Sequence, residues 1–237
     1  MSRKLLVVGA HSADFVWRSA GTVAVTTQAG GDVLVLALSY GERGESGNLW
    51  KEPGQTVENV KRIRHEQASK AAEAVGARFE CLDLGDYPLE LDREGMDRVS
   101  EVFRREKPDA VLTHTAVDPF NPDHPVANEV VTRARLLASG ANVASAFERV
   151  DPPVLYAFEP HQPELSGFTP NTFVDITAVF EMKLAAMKCM GAQSYLYDYY
   201  SELANRRGNH ARRISGDNSV EYAEALMRMT PAVVKGV

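Results

Sequence analysis

Over the first two-thirds of the chain, apolar residues come in short unbroken runs. Each run is followed by a longer stretch in which apolar positions recur every three or four residues. The runs KLLVVGA, DVLVLALS, RFECLDL, DAVLTH and PVLYAFEP are nearly continuous, the pattern of strands buried on both faces of a sheet. Between them the spacing predicts helices over roughly Asp14–Ala29, Val57–Val75, Glu94–Glu106 and His124–Ser145. Strand and helix alternate, which predicts a Rossmann-like three-layer α/β/α fold with a mostly parallel sheet and right-handed crossovers.

The pattern changes after the fifth strand. HQPELSGFTPNTFVDIT is rich in proline and turn residues, and AVFEMKLAAMKCM and SYLYDYYSELANRRG then read as helices. SVEYAEALMRMTPAVVKGV reads as a final helix or arm. With no repeat and no low-complexity linker, the expectation is one domain over 1–237 with a C-terminal helical extension from about 177.

Composition narrows the function. The 237 residues are 44% hydrophobic and 24% charged, ordinary for a globular chain with a substantial core. A formal net charge of −6 with no basic stripe argues against nucleic acid as a partner. No apolar run is long enough for a membrane span, and the first is interrupted by His11. Cys81 and Cys189 have no metal-motif spacing and read as reduced thiols of a cytoplasmic protein. The C-terminal helices lead us to expect a homo-oligomer.

Chemistry is expected where strands give way to helices, at the carboxyl edge of the sheet. The first such joint, GAHSAD, lacks the glycine-rich fingerprint of a dinucleotide site. It carries His11 and Asp14 instead, and the fold brings His124, entering a later helix, to the same edge. Two histidines and a carboxylate suit zinc with a position left open, and they equally accept manganese, iron or cobalt. The spacing also admits a plainer reading, with Asp14 as a helix N-cap and His124 as a structural histidine. The polar loop SYGERGESGNLW and the segment FEPHQPE, which holds His161 between two prolines, reach the same edge.

AHSAD and NPDH resemble the AHPDD and HPDH hallmarks of the PIG-L/LmbE family of zinc-dependent N-deacetylases, and the order of elements agrees along most of the chain. The resemblance implies that His11, Asp14 and His124 are metal ligands. It also marks two departures: the family's general base falls at Ala13, and the histidine that assists at its oxyanion falls at Asn121. Alanine cannot take a proton, so amide hydrolysis lacks its usual base. AHSADFVWR, GERGES, DYP, YAFEPHQPE and DIT are similar to one branch of the superfamily, the 4-oxalomesaconate hydratases of gallate degradation. These add water to a double bond of a tricarboxylic keto acid.

Glu45, flanked by glycines, reads as the base that takes a proton from water and His161 as the acid that protonates carbon, or the two in reverse, and the resemblance points to the same two positions. Arg43, Ser12, Asn121 and Arg18 are expected to bind substrate, and Asp123 to orient a ligand histidine from behind. The expected partner is a small anionic keto acid. Two other readings compete: an N-acetyl sugar deacetylase with a substitute base, and a non-catalytic metal or sugar-acid binding protein.

Overall fold

The computed structural model describes residues 3–141 and 143–233. The expected α/β alternation is present as β1 (Lys4–Gly9), α1 (Asp14–Gln28), β2 (Asp32–Ala37), α2 (Val57–Ala74), β3 (Arg78–Cys81), α3 (Arg93–Glu106), β4 (Ala110–Thr113), α4 (Asp123–Ser139) and β5 (Val154–Phe158). After β5 come β6 (Thr172–Asp175), α5 (Phe180–Lys188), α6 (Tyr197–Ser215) and β7 (Ala223–Arg228). Two of the helices start where a side chain satisfies a free backbone donor: Thr56 accepts from Asn59 N at the head of α2, and Asp92 from Gly95 N at the head of α3.

The sheet order is β3-β2-β1-β4-β5-β7-β6. The first five of these pair in parallel, whereas β7 runs antiparallel to both β5 and β6. Successive residues of β1 serve opposite faces. Leu5 and Val7 pack in the core with α1, α2, α5 and α6, while Leu6 and Val8 pack in the core with α3 and α4.

Two segments depart from expectation. Ser219 onward, read as a helix or arm, contains β7, the strand inserted between β5 and β6; positions 234–237 lie outside the described residues. Alanine, glutamate, leucine and methionine favour a helix locally, but pairing with Phe158 and Phe173 neighbours on either side overrides that preference. The helix expected to reach Ser145 ends at Ser139, and position 142 is likewise outside the described residues. Arg104 donates to the carbonyls of Leu137, Ala138, Gly140 and Val143, satisfying acceptors that the ended helix leaves free.

β7 also ties the sheet to α1. The Glu224 carboxylate accepts from Gly21 N (2.9 Å), from Thr22 N and Oγ1 (both 2.7 Å) and from Lys183 Nζ (2.6 Å). Lys183 Nζ donates also to Trp17 O at 2.9 Å. This buried knot fixes the helix whose first turns carry Asp14, Trp17 and Arg18.

Candidate active site

The strand order reverses between β1 and β4, and the loops leaving β1, β2, β4 and β5 meet at that point. They enclose a cavity of about 240 Å³ lined by Asp14, Arg18, Glu45, Asn121, His124 and His161 among others.

Asp14 is the first residue of α1. Its Oδ2 accepts from the backbone N–H of His11 at 2.7 Å, which turns the carboxylate back over the β1 loop. Nitrogens of His11 and His124 and an Asp14 oxygen all lie within 4.8 Å of one another, and all three residues are buried. His11 Nε2 is 3.1 Å from Asp123 Oδ2, and His124 Nδ1 is 2.7 Å from Asp118 Oδ2. The other two ring nitrogens, His11 Nδ1 and His124 Nε2, have no hydrogen-bond partner among the described residues despite being buried. Leaving two such atoms unpaired is costly unless something takes their lone pairs. A carboxylate behind each histidine, with the opposite nitrogen free, is how metal-ligating imidazoles are held, so the three residues fit a metal ion.

Electrostatics agree with that arrangement. Burial opposes a charge on His11, but the hydrogen bond to Asp123 and the carboxylates of Asp14 and Glu45 outweigh it and lift its pKa to about 9. In the absence of a metal, a proton therefore stands in for the cation on His11. His124 goes the other way, held well below the usual imidazole range by burial and by the His114 ring stacked 3.9 Å from it.

Glu45 is carried by the loop after β2. Gly41 sits at φ +70°, and a Cβ there would come within 2.9 Å of the Glu45 side chain. A Cβ on Gly44 would fall 2.1 Å from the Tyr87 ring. Trp50 Nε1 donates to Glu42 O, and Ser46 Oγ to Gly41 O, closing the loop on itself. Glu45 Oε1 accepts from Asn121 Nδ2 (2.9 Å) and Oε2 from Gln193 Nε2 (2.6 Å); Oε1 lies 3.9 Å from His11 Nδ1.

His161 lines the same cavity from the β5 loop. Tyr200 Oη is 3.5 Å from its Nδ1, and Tyr199 Oη donates to its carbonyl. Burial and the nearby Arg18 charge lower its pKa to about 4, so the ring is neutral at neutral pH. Arg18 both faces the cavity and braces its wall. It lines the cavity with Nε 3.8 Å from Asp14 Oδ1, and its Nη1 donates to Glu159 O. Arg207, in the basic run near 205–213, pairs with the Glu159 carboxylate and so braces the same loop.

Two expected substrate contacts lie elsewhere. Asp86 accepts from the backbone N–H groups of Arg43 and Gly44, which fixes the turn with the Arg43 side chain exposed; its Nη1 reaches only Asp86 O, at 3.4 Å. Ser12 is buried and donates to Tyr40 O. Neither lines the cavity. The sequence pattern assigns no role to His114, Asp118, Gln193, Tyr87 or Tyr200, which also surround the site. His114 is the first residue after β4, and its Nε2 lies 3.0 Å from Asp14 Oδ2; a histidine just past a strand's carboxyl end is the available signal.

An open α/β sheet with a His-Asp-His cluster at its switch point defines the class, a domain whose edge site could hold a metal ion. The chain belongs to the PIG-L family: the GlcNAc-PI de-N-acetylase model matches residues 6–135. It is 42% identical to a 4-oxalmesaconate hydratase of Pseudomonas putida, over 99% of this chain and 92% of that one. It is 30% identical to diacetylchitobiose deacetylase of Thermococcus kodakarensis over 81% of this chain and 70% of the relative. The crystal structure of the Pseudomonas putida 4-carboxy-2-hydroxymuconate hydratase GalB superposes with a TM-score of 0.96 at 42% identity, covering 99% of both chains.

Proposed function

We propose that this protein is a metal-dependent hydratase that adds water across the double bond of 4-oxalomesaconate, or a close unsaturated keto acid, to give 4-carboxy-4-hydroxy-2-oxoadipate. The observation that carries the proposal is that Glu45 and His161 line one cavity with Asp14 and His124, while the family's own acid–base positions hold Ala13 and Asn121. Near-full-length similarity to a hydratase supports the substrate class.

His11, Asp14 and His124 would hold the metal, which we take to be zinc. When bound, it supplies Lewis-acid stabilisation of negative charge on the substrate's oxygen atoms. Glu45, fixed by two amide donors, takes one proton from water as the water oxygen bonds to carbon. Electrons of the double bond move toward the conjugated carbonyl, and the neighbouring carbon then takes a proton from His161. Because the resting His161 is neutral, it must gain that proton as the anionic substrate arrives and offsets the Arg18 charge. Proton return from Glu45 through solvent completes the cycle with one water consumed. Arg18 is the cation among the cavity-lining residues and grips a carboxylate; Asp123 keeps the His11 ring aimed at the metal.

The test is a spectrophotometric assay of metal-loaded wild type, Glu45→Ala and His161→Ala on 4-oxalomesaconate, with a chelated control. Loss of the conjugated chromophore with wild type is expected, and each substitution should cost ~100-fold or more. A folded, metal-loaded wild type that leaves the acid untouched overturns the assignment. Acetate release from N-acetyl sugars by that protein would establish the deacetylase reading.

A further inference from the structure

Gln193 lies in the connection between α5 and α6, where a non-helical backbone (φ −128°, ψ 31°) turns its side chain inward and buries it. Its two amide ends do different work. Oε1 accepts from Arg64 Nη2 at 3.0 Å and faces Trp17 Nε1 at 3.5 Å, so the oxygen is committed to that side. Nε2 is thereby aimed the other way and donates to Glu45 Oε2 at 2.6 Å. Arg64 is fully buried and makes no ion pair among the described residues. Its remaining donors are Nε, 3.3 Å from Tyr40 O, and Nη1, which has no partner among the described residues. A buried, unpaired guanidinium is expensive to retain for packing alone. Its geometric effect here is to forbid the flipped amide, which would set an oxygen against the carboxylate. Asn121 is locked in the same manner: its Oδ1 accepts from Asp123 N, leaving Nδ2 for Glu45 Oε1.

We propose that Gln193, held in one amide orientation by Arg64, is a positioning residue that fixes the Glu45 carboxylate for proton transfer. The inference rests on the reading of Glu45 as the proton acceptor. Gln193 acts through Glu45, touches no metal ligand, and connects turnover to a helix junction far along the chain.

The test compares Gln193→Glu, Gln193→Met, Glu45→Gln and the two double variants, all metal-loaded, with metal content and thermal midpoint recorded. Gln193→Glu keeps an acceptor for Arg64 and so protects the fold, but it removes the donor facing Glu45. Gln193→Met removes the donor without adding charge. Loss of one hydrogen bond to a charged group predicts a kcat lower by about 10- to 100-fold in either variant. KM should stay within about threefold, since the contact acts on the reacting geometry rather than on binding. In the Glu45→Gln background neither substitution should cost more than about twofold, because the group they position is already gone. A kcat within twofold of wild type in both single variants overturns the proposal, as does an equal loss in both backgrounds, which would mark a general structural role. If Glu45→Gln itself retains turnover, the underlying reading of Glu45 fails, a result distinct from either of these.

Discussion

His161→Gln turns the electrostatics of the cavity into a stability measurement. Burial and Arg18 hold the folded pKa near 4, against the pull of Asp14 and Asp118, and the unfolded chain titrates near 6.5. Between those values the unfolded chain carries the extra proton, so stability rises with pH across the window and falls as pH drops from 6.5 toward 4. The full difference corresponds to about 3 kcal/mol, most of which is realised on descent to pH 4.5. Allowing for the part of the ring that solvent reaches leaves about 2 kcal/mol. Glutamine removes the titration while keeping a polar group of similar reach. Urea unfolding of metal-free protein at steps from pH 7.5 to 4.5 should therefore show wild type losing about 2 kcal/mol more than the variant. Other acid-sensitive groups contribute to both curves and cancel in the difference. Parallel curves would refute the reasoning, and with it the claim that the resting imidazole is neutral and must be charged by its substrate.

Asp123→Asn should weaken metal binding by about 10- to 100-fold, read by competition with a chelating dye, because the carboxylate that aims His11 also accepts from Tyr87 N and Leu89 N. Lys183→Met leaves the Glu224 carboxylate buried with only the Gly21 and Thr22 donors, and should cost about 3–5 kcal/mol. Calorimetry would register that as a thermal midpoint lower by roughly 6–20 °C, and a shift under 2 °C would show that the pair is dispensable.

The parallel half of the fold was legible because strands buried on both faces must be continuously apolar, while the helices between them repeat apolar positions every three or four residues. β7 was not, since Ala223–Arg228 is composed largely of helix formers and becomes a strand only by lying between β5 and β6. The grouping of His11, Asp14 and His124 was legible from two short motifs on adjoining loops, and Asp123 from its place beside His124. Arg43 shows where such reading fails. A cation in the right loop says nothing of its direction, and that is set by Asp86, more than forty positions away, capturing the loop's N–H groups. Gln193 and Arg64 gave no signal at all. Neither belongs to a motif, and their meaning depends on a helix junction folding against α2.

The cavity's charge would give a metal held by His11, Asp14 and His124 a role in binding that can be separated from its role in chemistry. Asp14, Glu45 and Asp118 line it against the single guanidinium of Arg18, with Asp123 behind His11. The proton on metal-free His11 offsets only part of this, and a tricarboxylate entering such a site meets net repulsion. Exchanging that proton for a divalent ion adds one positive charge beside the position a substrate carboxylate must take. One unit charge at ~4 Å in a medium of effective dielectric ~20 amounts to about 4 kcal/mol. Side-chain rearrangement and partial screening reduce that, so chelation is expected to weaken binding by ~100-fold or more. The probe is an unreactive tricarboxylate such as citrate, titrated calorimetrically into loaded and chelated protein at constant ionic strength. Equal affinity in the two states would mean that Arg18 and the amide groups hold the anion unaided. The metal would then serve the reaction alone, and the negative lining of the cavity would have to be neutralised by protons rather than by the cation.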